Sequence, residues 1–159
     1  FDTRPEADSP EVAQRRETQA SAVLAAASAE PIAATMLPLL LADSTVAEQP
    51  ELARATVEMM KAAKPTTIAA TLRGLARRPD RSEILRNLRR PTLIVVGEKD
   101  AITPPTVAEA MARRIADSTL VIVPRAGHLA PWEQPTTVNT AILDFLAGLA
   151  PDDRTSAIA

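Results

Sequence analysis

The sequence predicts an α/β protein with an incomplete sheet: a long helical stretch, then two parallel strands with their helices. Three observations carry this. Residues 8–90 are punctuated like successive helices. Thr92-Leu93-Ile94-Val95-Val96 and Thr119-Leu120-Val121-Ile122-Val123 are short, continuously apolar, largely β-branched runs, the pattern of strands buried on both faces of a parallel sheet. Between them Pro104-Pro105 open a helix with Val107, Met111 and Ile115 on one face, so the unit reads as strand, helix, strand.

Each element has its own justification. Asp8 and Glu11 have capping-box spacing, with Pro10 in the first turn of a helix running to about Ala27. Pro31 restarts a helix carrying Ile32, Met36, Leu37, Leu39, Leu40 and Leu41, and Pro38 is expected to kink it. Thr45 and Glu48 repeat the capping-box spacing before a helix reaching about Ala63. Pro65 opens a helix with Ile68, Leu72 and Leu75 on one face. Asp80 and Glu83 start a short helix through Leu88, and Pro91 separates it from the first strand. Val138, Ala141, Ile142, Phe145, Leu146 and Leu149 form the apolar stripe of a last helix.

Composition excludes several functions. The chain has 159 residues, one domain's length, with 46% hydrophobic and 24% charged residues, as globular proteins do. It has no cysteine and one histidine, His128, which rules out disulfides, thiolate chemistry and multi-histidine metal centres within it. A net charge of −2 and three aromatics (Phe1, Trp132, Phe145) argue against nucleic acid as a partner. Between Thr18 and Ala42 only Glu30 is charged, but each flanking half is 12 residues, too short to span a bilayer, so no membrane partner is expected. The acidic, polar N-terminus does not read as a secretory signal, and the expected location is cytoplasmic. Fifteen arginines against three lysines, with many alanines, fit a GC-rich bacterial source.

Two strands buried on both faces leave edges that must be covered. The remaining strands are therefore expected in a removed segment, a separate chain or a symmetry mate. The first residue is Phe1, consistent with a chain that begins inside a longer reading frame or was processed.

Ligands in open α/β sheets bind beyond the carboxyl ends of the strands. Two loops leave those ends here, Gly97-Glu98-Lys99-Asp100-Ala101-Ile102-Thr103-Pro104 and Pro124-Arg125-Ala126-Gly127-His128-Leu129-Ala130-Pro131-Trp132-Glu133. They bring a carboxylate and the only imidazole to one rim. A carboxylate that accepts from imidazole Nδ1–H leaves Nε2 as a base.

At these residues the chain resembles the α/β-hydrolase family. The resemblance rests on Pro-Thr-Leu-Ile-Val-Val-Gly-Glu-Lys-Asp at 91–100 and Pro-Arg-Ala-Gly-His at 124–128 followed by Pro-Trp-Glu-Gln-Pro. It implies that residues 1–7 follow a preceding strand, 8–90 form a helical cap, 91–150 form the C-terminal strand–helix–strand–helix part of the core, and 151–159 are a tail. It also implies a Ser-His-Asp hydrolase acting on an ester, lactone or related acyl substrate, with His128 as base and Asp100 as its acid partner and no cofactor. Asp2 is the competing acid. The family's Gly-x-Ser-x-Gly nucleophile turn is absent, since Gly74, Gly97, Gly127 and Gly148 are nowhere four apart. The partner expected is thus an N-terminal half carrying the serine, and this chain alone is expected to be inactive. The alternative function is a non-catalytic interaction module derived from the same fold.

Other residues carry a functional and a plainer reading. Met36 and Leu40, with Met59 and Met60, line an acyl pocket or are simply helix core. Trp132 contacts substrate or packs the loop behind His128. Gly127 permits close backbone approach or a positive φ. Glu98 reads as a solvated loop charge. Arg73, Arg77, Arg78, Arg81, Arg86, Arg89 and Arg90 form the one basic cluster, most simply a solvated helix surface.

Overall fold

The computed structural model describes residues 1–149, and the expected tail at 151–159 lies outside them. The helical region holds α1 (Pro10–Ala26), α2 (Glu30–Leu40), α3 (Asp43–Glu48), α4 (Pro50–Lys61), α5 (Pro65–Ala76) and α6 (Ser82–Asn87). The second region runs β1 (Thr92–Gly97), α7 (Pro105–Ala112), β2 (Ser118–Val123), α8 (Ala130–Glu133) and α9 (Pro135–Gly148).

Several helix ends differ from expectation, each for a local reason. Ser9 rather than Asp8 caps α1: its hydroxyl accepts the Val12 N–H. Asp8 instead accepts from the guanidinium groups of Arg4 and Arg16, which leaves it no role as a cap. Pro38 falls in the last turn of α2, and Leu41 is already extended. The helix expected from Thr45 to Ala63 is two helices. Pro50 has no N–H to continue α3 and pushes Gln49 out of helical geometry, at φ −127° and ψ 60°. α1 and α5 pack through Ala20, Ala69 and Leu72, the alanines allowing close approach.

β1 and β2 pair in parallel from Thr92↔Ser118 to Gly97↔Val123. Alternate side chains point to opposite faces of the sheet. Leu93, Val95, Val121 and Val123 meet Val138 and Ile142 of α9 on one face. Ile94, Val96 and Leu120 meet Ala108 and Met111 of α7, Ile115 beyond it, and Leu85 of α6 on the other. β1 is buried over its second half, as its composition predicts. β2 corrects the expectation of burial on both faces: only Val123 is buried, and Ile122 is 39% exposed. The reason is position: the outer edge of β2 has no neighbouring strand among the described residues, whereas residues at the N-terminus lie against the outer edge of β1. Across the other edge of β1, the Asp2 N–H donates to the Val95 carbonyl at 3.2 Å, which lays residues 1–3 along that edge. Among the described residues no helix is long and apolar enough to cross a membrane.

Gly97 ends β1 where the two strand-end loops cross. A Cβ there would sit 2.0 Å from the Gly127 carbonyl oxygen and 2.5 Å from that of Ala126. Both are backbone atoms that cannot swing away. Gly97→Ala is therefore expected to cost about 1–3 kcal/mol, the range for overpacking a tight site, read as a lowered denaturation midpoint in urea.

Candidate active site

Parallel pairing carries both strand ends to one rim, with Gly97 opposite Val123. The loops leaving them are bound to each other by backbone. Glu98 N–H donates to Val123 O at 2.9 Å, and Lys99 N–H donates to Ala126 O at 2.8 Å. Arg125 turns the second loop with a left-handed φ of 60°, a conformation that is costly for a side chain of this size. Glu98, expected to be merely solvated, accepts the Arg125 N–H at 3.0 Å, and the Arg125 guanidinium reaches Glu48 on α3.

His128 Nδ1 lies 2.9 Å from Asp100 Oδ2. Asp100 is buried and takes three further hydrogen bonds. Oδ1 accepts from Ile102 N–H at 2.8 Å and Thr103 N–H at 2.9 Å, and Oδ2 accepts from the Thr103 hydroxyl at 2.8 Å. Burial pushes its pKa up, but the bonds from His128, Thr103 and Ile102 outweigh burial and hold it below the usual carboxylate range. An ionised carboxylate only accepts, so Nδ1 carries the hydrogen and Nε2 has the free lone pair. Burial pulls the His128 pKa down, but the Asp100 hydrogen bond and the charges of Asp100 and Asp2 more than reverse this and raise it.

Asp2 completes a cluster with Asp100 and His128, their ligand atoms all within 4.8 Å of one another. Asp2 itself is in the left-handed region, at φ 43°, and its Oδ1 is buried without a hydrogen-bond partner among the described residues. Burial, with repulsion from Asp100, pushes its pKa up to about 6. Two carboxylates and an imidazole are a conceivable cation site. Both Asp100 oxygens are already engaged by four donors, a poor arrangement for a metal ligand. His128 Nδ1 is held by Asp100, not by the competing Asp2.

Glu133, whose role sequence reasoning missed, fastens this loop to the helical region. It is 2% exposed. Oε1 accepts the Gly127 N–H at 2.7 Å, and Oε2 accepts the Ala42 N–H at 2.8 Å and the Thr45 hydroxyl at 2.6 Å. Thr45 is thus no helix cap. Gly127 has a negative φ, so close approach is what requires glycine there: a Cβ would lie 2.7 Å from the Ala42 nitrogen. Leu129 N–H adds a bond to the Leu40 carbonyl at 3.1 Å. Glu133→Gln would turn an NH₂ toward backbone N–H groups. The expected loss is about 1–3 kcal/mol, the cost of leaving buried donors unmatched, measured as a fall in Tm.

A cavity of about 450 Å³ opens beside His128. Met36 lines it, joined by Leu39 and Leu75. Leu40 and Trp132 are not part of this lining. Leu40 contributes its carbonyl to the loop contact above, and Trp132 is 46% exposed. Arg78, expected on a solvated surface, faces this cavity.

A parallel strand pair flanked by helices, a His–Asp pair at its carboxyl rim and a helical region over that rim define an α/β-hydrolase. The chain belongs to that family: residues 53–157 match the profile of its TAP-like protein members. Among solved structures, the chain resembles a malate-bound thermophilic esterase from Thermogutta terrifontis, with 42% identity and a TM-score of 0.89 over 92% of this chain and 53% of that one. It also resembles a hydrolase from Pseudomonas aeruginosa, with 25% identity and a TM-score of 0.81, covering 92% and 54% of the two chains. A pimeloyl-[acyl-carrier protein] methyl ester esterase from Neisseria meningitidis is 34% identical over 103 residues, which is 63% of this chain and 32% of that protein. The chain therefore spans about half of those solved relatives and about a third of that esterase.

Proposed function

We propose that these residues form the cap and the acid–base part of an ester hydrolase. A serine on a Gly-x-Ser-x-Gly turn, supplied by a segment outside the 159 residues, attacks an ester or lactone carbonyl. His128 Nε2 takes the serine proton and then returns it to the leaving oxygen, and Asp100 steadies the imidazolium. In the second half-reaction the same nitrogen activates water against the acyl-enzyme. The observation that carries this reading is the 2.9 Å His128–Asp100 contact, placed on adjacent loops at the carboxyl ends of two parallel strands. The carboxylate fixes the imidazole so that Nε2 is the working nitrogen.

The test compares residues 1–159 alone with the same chain joined to a segment that bears the serine turn. Only the joined protein should hydrolyse a p-nitrophenyl ester and take up one equivalent of a fluorophosphonate label. Activity in the isolated chain would overturn the external nucleophile. A joined, folded protein that neither turns over ester nor labels would overturn the hydrolase reading.

The raised His128 pKa sets the pH dependence. A protonated imidazole cannot accept the serine proton, so activity rises with pH as His128 loses its proton. That rise should centre above the ordinary histidine value of 6.5. The Asp2 charge favours the protonated form, so Asp2→Asn should move the rise to lower pH, visible as a shifted acid limb of kcat/KM.

A further inference from the structure

We infer that the cavity beside His128 selects an ester bearing a second, anionic group, a carboxylate. This rests on the hydrolase reading above and goes on to name the substrate class. The cavity that His128 lines is crowded with cations: Arg4, Arg15, Arg16 and Arg78 all line the space. The carboxylates that answer them are few. Asp8, its side chain fully buried, is shared by Arg4, Arg16 and, at 3.7 Å, Arg78. Asp2 lines the same cavity but belongs to the His128 cluster. Four guanidinium groups against these two carboxylates leave the wall positive, in a chain whose net charge is −2. The positive field is thus local to the concave site and not a general attraction for polyanions.

Arg78 is the most telling of the four. Its Nε and Nη2 are buried and have no hydrogen-bond partner among the described residues, so its charge is only partly answered. Arg15 is exposed and has no ion pair among the described residues, and it lines the cavity. A guanidinium pairs with a carboxylate through two parallel hydrogen bonds, and here such a group would find more than one. Met36, Leu39 and Leu75 line the same cavity, an apolar surface suited to a short hydrocarbon chain. The volume fits a small molecule. A monoanion suits the site better than a phosphate dianion, because Asp2 faces the same space and opposes added negative charge.

The experiment uses the complete, serine-bearing protein and two chromogenic esters of matched length, p-nitrophenyl hemiglutarate and p-nitrophenyl valerate. The expected result is a kcat/KM at least about tenfold higher for hemiglutarate at low salt, falling as ionic strength rises. Arg78→Gln and the exposed Arg15→Gln should each cut that ratio severalfold. Arg15→Gln guards against misfolding of the more buried variant. Equal rates on the two esters, or ratios unmoved by both variants, would overturn the inference and leave the hydrolase reading intact. If neither ester is turned over, the hydrolase reading fails, and calorimetry decides the inference separately. Monomethyl glutarate must then bind at least tenfold tighter than dimethyl glutarate, and a site that does not distinguish them overturns it. Butyl phosphate binding tighter than monomethyl glutarate would overturn the choice of carboxylate.

Discussion

His128→Ala in the complete protein is expected to lower kcat for an activated ester by about 10⁴-fold or more. General acid–base catalysis by one group contributes about 10²–10⁴-fold. Here one nitrogen serves both half-reactions, and members of such a unit fail together. His128 is linked to Asp100 through its ring and lines a cavity, so alanine leaves space and not a clash. The fold should survive, checked by circular dichroism. The measurement is single-turnover acylation followed by steady-state hydrolysis, with both steps slowed. Turnover within tenfold of the parent would remove His128 from the mechanism.

Asp100→Asn should follow closely, with a loss of up to about 10⁴-fold. The amide is nearly isosteric, but Asp100 receives four donors and offers none. An asparagine must either turn its NH₂ to the Ile102 and Thr103 N–H groups or present it to imidazole Nδ1. In the second case it favours the tautomer with the proton on Nε2, which cannot act as a base. The lost charge also lowers the His128 pKa, so the residual activity should rise at lower pH than in the parent. Asp2→Asn is the control, because Asp2 does not hold Nδ1. Near-parental activity in Asp100→Asn, with collapse in Asp2→Asn, would reassign the acid.

Much of this geometry was legible in the residues. The β-branched runs at 92–96 and 119–123 specify strands by local preference, and parallel pairing then carries residues 100 and 128 to one rim. Contacts between distant stretches were not legible. Thr45 and Glu48 have the letters of a capping box, yet the Thr45 hydroxyl goes to Glu133, 88 positions away. Arg78 sits in an arginine run that looks uniformly solvated. Nothing in that run reveals that the buried Asp8 lies 3.7 Å from its guanidinium. Trp132 has the hydrophobicity of a core residue, but hydrophobicity alone does not say which side of a four-residue helix faces inward. β2 has a core strand's composition, but its burial depends on what lies beside it.

The Glu133 carboxylate has a consequence for transplanting specificity. Half of the cavity's lining, including Met36, Leu39, Leu75 and Arg78, comes from the helical region, whereas the His–Asp pair sits on the loops that leave the two strands. Substrate preference and proton transfer thus sit on separable pieces of chain, and helical regions could be exchanged between relatives without retuning the pair. The exchange must respect the contacts of this turn. Any incoming helical region must offer a backbone N–H and a hydroxyl where Ala42 and Thr45 now stand, or it leaves the buried Glu133 carboxyl group short of two donors. Chimaeras built with that two-point socket should retain their chemistry, and those built without it should fail whatever the quality of their new pocket.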